Sequence, residues 1–138
     1  MQRLFAAALV SFLLLNCQAK AEDAKAQATA TALETTSDAN FAKDVLNSKE
    51  PVFVDFFTTW CAPCKAMEPV VHKMADEYKG KVKVFSIDAE KNPIATSKYS
   101  VEMYPTYCIF VNGKMALKQS GSKTPEALKQ MLTTAHAI

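Results

Sequence analysis

Two cysteines, Cys61 and Cys64, stand close together in the run Trp60-Cys61-Ala62-Pro63-Cys64-Lys65. Thiols at that spacing can close a disulfide inside a small ring and reopen it by exchange, and Pro63 restricts the backbone between them. The apolar run Pro51-Val52-Phe53-Val54-Asp55-Phe56-Phe57 ends just before the pair and a helical pattern follows it, so the order is strand, tight turn, helix. With Cys61 capping that helix, its sulfur faces unpaired backbone N–H groups and the positive end of the helix dipole, which favour thiolate over thiol. Cys61 is the expected nucleophile. Cys64, one turn later, is placed to close the ring. Such a pair could instead be half of a zinc site or a fixed structural disulfide. Zinc normally takes four ligands, and Cys17, Cys108, His72 and His136 are scattered with no second pair among them. Redox exchange, with no metal and no cofactor, is the favoured reading.

A carboxylate is the second candidate. Asp55 sits among Val54, Phe56 and Phe57, and burial there would raise its affinity for a proton. The alternative is an Asp at a strand end that reaches water. Cys108 alternates with Thr106 and Phe110 and reads as a core thiol, while His72 and His136 read as residues of solvated helix faces.

The elements that position these residues are legible in order. Ser37 or Asp38 is the expected cap of a first helix carrying Phe41, Val45 and Leu46 and ending near Asn47 and Ser48. The strand Val52 to Phe57 is nearly continuous in apolar character, as in a sheet covered on both faces. The helix after the cysteines should run to about Lys79, with Met67, Val70, Val71, Met74 and Tyr78 inward, Pro69 bending it and Gly80 stopping it. Val82 to Asp88 reads as a strand, Asn92-Pro93 as the cap and opening of a short helix to about Tyr99, and Thr106 to Val111 as a strand. Asn112-Gly113 predicts a hairpin turn into Lys114 to Gln119, and Thr124-Pro125-Glu126 starts a final helix that buries Ala127, Leu128, Met131 and Leu132.

The segments VDFFTTWCAPCK and MYPTYCIFVNG together resemble the thioredoxin family, whose members carry W-C-G-P-C-K after an apolar strand with a buried Asp, and a cis-proline on a later strand. Trp60, Cys61, Pro63, Cys64 and Lys65 match the signature, and Asp55 and Pro105 match the other two sites; the likeness runs from about Phe41 to about Leu132. It implies a thioredoxin-like α/β fold, a central mixed sheet with helices on both faces. It also implies thiol–disulfide exchange in which Asp55 moves protons to and from Cys64. The resemblance implies a cis Pro105 with the backbone beside Tyr104 pairing to a substrate polypeptide; an ordinary strand-entry proline is the alternative. Trp60, Ala62 and Pro63, which border the nucleophile, complete the expected substrate-contacting set with Tyr104 and Pro105. Met103 and Tyr104 are bulkier than the residues common there in the family. The family often sets a Lys near the buried Asp; the nearest match is Val84, so that charge is expected to be missing.

With 138 residues, 49% of them apolar, the chain suits one domain. Its net charge is +2, and without Arg3 and Lys20 the remainder has 14 basic and 14 acidic residues, which gives no case for nucleic acid. Residues 1–21 read as an export signal, with Arg3 at the start and an apolar run from Leu4 to Leu15 that is too short to span a bilayer comfortably. Ala19-Lys20-Ala21 fits a cleavage site that would release Glu22 as the first residue. Leu14-Leu15-Asn16-Cys17 resembles a lipobox that would make Cys17 a lipid anchor, though Asn16 departs from the usual small residue. The soluble form is favoured, and either form lies outside the cytoplasm, in the periplasm, where disulfides persist. Residues 22–36, rich in Ala, Thr and Gln, read as a flexible tether, and residues 37–138 as the folded domain, a monomer. Substrates are expected to be protein thiols and disulfides. The Ala-Pro dipeptide favours a reductase, which outside the cytoplasm needs a membrane thiol–disulfide electron donor. An oxidase or isomerase is the alternative within the class, and a peptide-binding module without turnover the alternative outside it.

Overall fold

The computed structural model describes residues 33–138. The export signal, its two cleavage sites, Cys17 and residues 22–32 of the expected tether lie outside the described residues. Five strands form one sheet in the order β1-β3-β2-β4-β5. They are β1 (Leu33–Thr35), β2 (Val52–Phe57), β3 (Lys83–Asp88), β4 (Thr106–Val111) and β5 (Lys114–Ser120); the helices are α1 (Ala62–Glu77), α2 (Pro93–Lys98) and α3 (Pro125–Thr134). β1 and β2 pair parallel to β3, whereas β4 runs antiparallel to β2 and to β5, so the sheet is mixed as expected.

Period-two alternation along β2 sorts its side chains between two cores. Phe53 joins Met67, Val71, Met74, Leu128 and Leu132 in a cluster formed with α1 and α3. Val52, Val54 and Phe56 join Phe41, Val45, Ala95 and Cys108 in a second cluster on the other face, beneath α2. Asp55 therefore shares the α1 face with Phe53. Burying side chains of this size contributes roughly 1.5–3 kcal/mol each, so α1 is held on the sheet mainly by its apolar stripe.

Three local expectations are corrected. The tether was expected to run through residue 36, yet Leu33–Thr35 is a strand, with Leu33 opposite Val84 and Thr35 opposite Ser86. Three residues suffice because β3 offers unpaired backbone groups along its edge, and Leu33 packs against the core as it pairs. The first helix is a single wide π-type turn, Ala42–Leu46, and neither Ser37 nor Asp38 caps it with a side chain.

Asp38 instead caps α2, its carboxylate accepting from Ile94 N at 2.9 Å and Ala95 N at 2.8 Å. Asn92, expected to cap α2, turns its side chain the other way. It accepts from Asp38 N at 2.7 Å and donates to Asp88 O at 2.9 Å. The exchange satisfies the orphan N–H groups of α2 and ties it to a loop distant in sequence; a side-chain cap is worth about 1 kcal/mol. The hairpin turn behaves as its sequence demands: Asn112 and Gly113 have φ of 52° and 73°, and a Cβ on Gly113 would strike the carbonyl of Leu46.

Candidate active site

β2 ends at Phe57, and a short turn through Thr58, Thr59 and Trp60 leads into α1. Cys61 caps α1 in an extended conformation, its Sγ accepting a hydrogen bond from Cys64 N at 3.1 Å. Pro63 lies in the first turn, where its missing N–H would have had no intrahelical partner. Cys61 and Cys64 are joined in a disulfide with 5.3 Å between their Cα atoms. Both are buried, whereas Ala62 and Pro63 between them are exposed. The ring therefore presents its loop to solvent and its sulfurs inward.

Asp55 lies on the sheet face under α1 and is 6% exposed. Burial, with a smaller contribution from the Glu68 carboxylate, raises its pKa from 3.8 to about 7. Its Oδ1 finds no hydrogen-bond partner, and neither do the buried hydroxyls of Thr58 and Tyr107. The residue opposite Asp55 on β3 is Ser86; Val84, the position matched from sequence, pairs with Phe53. The correction follows from register, and the basic partner is absent from either position. A cavity of about 460 Å³ lies here, lined by Asp55, Cys64, Thr58, Ser86, Glu68 and His72 among others.

The other side of the site is built on the start of β4. The Tyr104-Pro105 peptide bond is cis. Thr106 Oγ1 donates to Met103 O at 2.6 Å and meets Ser120 Oγ at 2.6 Å, and Gly121 N donates to Pro105 O at 2.8 Å. These bonds pin the loop on both sides. Trp60 is 66% exposed, stands edge-on to Tyr104 with ring centroids 6.1 Å apart, and donates from Nε1 to Glu90 Oε1 at 2.9 Å. Met103 is exposed beside it. Cys108 lies on the opposite sheet face, where burial pushes its thiol up to about 12, so it stays protonated.

This arrangement is a dithiol–disulfide centre at a helix N-terminus, with a buried carboxyl behind it and an apolar rim in front. A family model described as Thioredoxin matches residues 32–134. Thioredoxin C-2 of Corynebacterium nephridii is 40% identical over 94 residues, which are 68% of this chain and 86% of that one. A Synechocystis thioredoxin is 43% identical over 84 residues, 61% of this chain and 78% of its own. The chloroplastic M-type thioredoxin of Brassica napus is 41% identical over 90 residues, 65% of this chain and about half (51%) of its own length. The chain belongs to the thioredoxin family and is a thiol–disulfide oxidoreductase.

Glu68, Glu90 and His72 were not singled out as site residues from sequence. Counting four residues on from Cys64 reaches Glu68 and then His72, a signal present but unused. Glu90 meets Trp60 only through the tertiary fold.

The raised proton affinity of Asp55 has a thermodynamic consequence. The folded state holds this proton more tightly than the unfolded chain, so stability falls as pH rises from about 4 to about 7 and stays reduced above that. Asp55→Asn removes the burden. In urea unfolding of the oxidised protein it should be the more stable form at about pH 8, by on the order of 3 to 4 kcal/mol, with the difference gone below about pH 4. Equal stability at both pH values would show that Asp55 is ionised without penalty.

Proposed function

We propose that the chain is an exported disulfide reductase acting as a monomer on protein substrates, with Cys61 as nucleophile, Cys64 as resolving thiol and Asp55 as the group that takes the proton of Cys64. The Cys61 thiolate attacks a substrate disulfide, forming a mixed disulfide and releasing one substrate thiolate. Cys64 gives its proton to Asp55 and attacks Cys61 Sγ; the Cys61–substrate bond breaks, the Cys61–Cys64 bond forms, and the second substrate thiolate leaves. Two electrons pass from the dithiol to the substrate. Trp60, Ala62, Pro63, Tyr104 and Pro105 form the surface that receives the polypeptide, with the backbone beside Tyr104 as its partner.

The observation that carries the reducing direction is the sparse support of the Cys61 sulfur. Among the described residues its hydrogen bond comes from the Cys64 amide, and Ala62-Pro63 supplies neither a side-chain charge nor a side-chain donor. A strong oxidant arises where the reduced thiolate is heavily stabilised, and a helix terminus alone does this only moderately. For export, the support is the basic and apolar character of residues 1–21. A reductase outside the cytoplasm must be recharged, so a membrane thiol–disulfide protein is the proposed electron donor. Release at Ala21 is favoured over a lipid anchor on Cys17.

Three measurements test these assignments. Cys64→Ser should accumulate mixed disulfides on Cys61, visible on non-reducing gels; a variant that traps nothing while the wild type turns over would refute the division of roles. Equilibration with glutathione followed by alkylation should give a potential nearer the roughly −270 mV of a thioredoxin than the roughly −120 mV of a strong oxidant. A value above about −180 mV would make the protein a disulfide donor. Mass spectrometry of the mature protein should find Glu22 at the N-terminus, a lipidated Cys17 would establish the anchored form, and an intact Met1 would contradict export processing.

A further inference from the structure

Cys64, Glu68 and His72 follow one another at four-residue steps, so they lie on one face of α1. All three line the cavity that also contains Asp55. Cys64 is buried, His72 is half-exposed and Glu68 is exposed, so the stripe leads from the sulfur to solvent. His72 Nε2 lies 3.8 Å from Glu68 Oε1. At the inner end, Asp55 Oδ1 and Thr58 Oγ1 are buried without partners. The sheet's opposite face offers Asp55 no way out, because Val54, Phe56 and Cys108 close it with an apolar core.

We propose that this cavity is the route by which Asp55 exchanges its proton with solvent, and that Glu68, steadied by His72, is the positioning residue that sets the pH at which it does so. The inference rests on the reading in which Asp55 takes the proton of Cys64, and it holds for either direction of electron flow. The cavity has Asp55, Thr58 and Ser86 among its lining residues and is large enough to admit water. The ionisable groups facing Asp55 are Cys64 in the dithiol form, Lys65, Glu68 and His72 from α1 and Tyr107 from β4; β3 presents Ser86, and β1 presents Leu33 and Thr35. Glu68 is the neighbouring charge that strengthens the hold of Asp55 on its proton. A carboxylate at that place favours the acid form of Asp55, and the His72 ring lies beside that carboxylate. The pair therefore tunes how readily Asp55 becomes a base for Cys64. The proton balance is complete: it leaves Cys64 Sγ, resides on Asp55, and passes through the cavity to water.

The test uses the full chain and two readouts. Carboxyl-carbon NMR of the oxidised protein follows Asp55 directly; Glu68→Gln should lower its midpoint by on the order of half a pH unit. Glu77→Gln lies on the same helix but pairs with Lys129, away from the cavity, and should leave the midpoint in place. The second readout is single-turnover reduction of a chromophoric aromatic disulfide by the dithiol form, in which the first arylthiolate reports attack by Cys61 and the second reports resolution by Cys64. In Glu68→Gln the pH profile of the second release should move down with Asp55, making resolution about threefold faster at mildly acid pH, while the first release is unchanged. An unmoved midpoint, an equal shift in Glu77→Gln, or a moved midpoint with an unmoved resolution profile would overturn the proposal. Asp55→Asn separates this failure from that of the underlying reading. If it changes the resolution profile and Glu68→Gln does not, only the role of Glu68 falls. If it leaves the profile unchanged, the role of Asp55 falls and this proposal falls with it.

Discussion

A buried carboxyl group with one oxygen left unpaired is the constraint that organises this molecule. Asp55 occupies the middle of β2, flanked by apolar neighbours in sequence and covered by α1, and its Oδ1 finds no hydrogen bond. An ionised group in that setting is costly unless paired, so the group retains its proton up to about neutral pH. The fold tolerates the position because the rest of β2 is so thoroughly used: Val52, Phe53, Val54 and Phe56 are almost entirely buried in the two cores. Stability contributed by the strand offsets what the carboxyl withholds.

The same strand fixes where the sulfurs lie. α1 can bury Met67, Val71 and Met74 against the sheet only by starting close to the end of β2, and that start is capped by Cys61. A helix begun there brings Cys64 inward and leaves Ala62 and Pro63 outward, because successive residues of the first turn point in different directions. Neighbouring elements then restrain the loop: Trp60 leans on Tyr104 and bonds Glu90, while Thr106 and Gly121 hold the cis-proline segment. Every one of these contacts joins residues far apart in sequence except the Thr106–Met103 bond, so the geometry of the centre depends on the assembled sheet.

Sequence reading succeeded where a residue's role follows from its immediate neighbours. Cys61 as cap, Pro63 in the first turn, Pro125 opening α3 and Asn112-Gly113 at the hairpin are all local rules, and the strand pattern of β2 and β4 follows from unbroken apolar runs. It fell short where a polar side chain had a choice of partners. Asp38 and Asn92 each look like the cap of the helix that follows, and each is used elsewhere, because the fold lays the Asp38 loop against the start of α2. The partner of Asp55 was misplaced by two residues because register between parallel strands is set by pairing and not by composition. β1 escaped notice because a three-residue edge strand has too little sequence to show a period.

In the proposed reading, protons and polypeptide are handled on different sides of the disulfide. The cis-proline loop, Trp60 and the exposed Ala62-Pro63 turn face outward, and a substrate chain seated there would cover the sulfurs from the front. Asp55 lies behind them on the sheet, and the cavity reaches it past Cys64 along α1. If the proton had to leave through the front, a bound substrate would block it at the moment when Cys64 must become a nucleophile. A rear exit removes that conflict: the front can remain occupied and dry, which strengthens exchange between the sulfurs, while the rear stays in contact with water. The separation depends on α1 covering Asp55 without sealing it. In the proposed route, Cys64, Glu68 and His72 line the opening that this incomplete cover leaves.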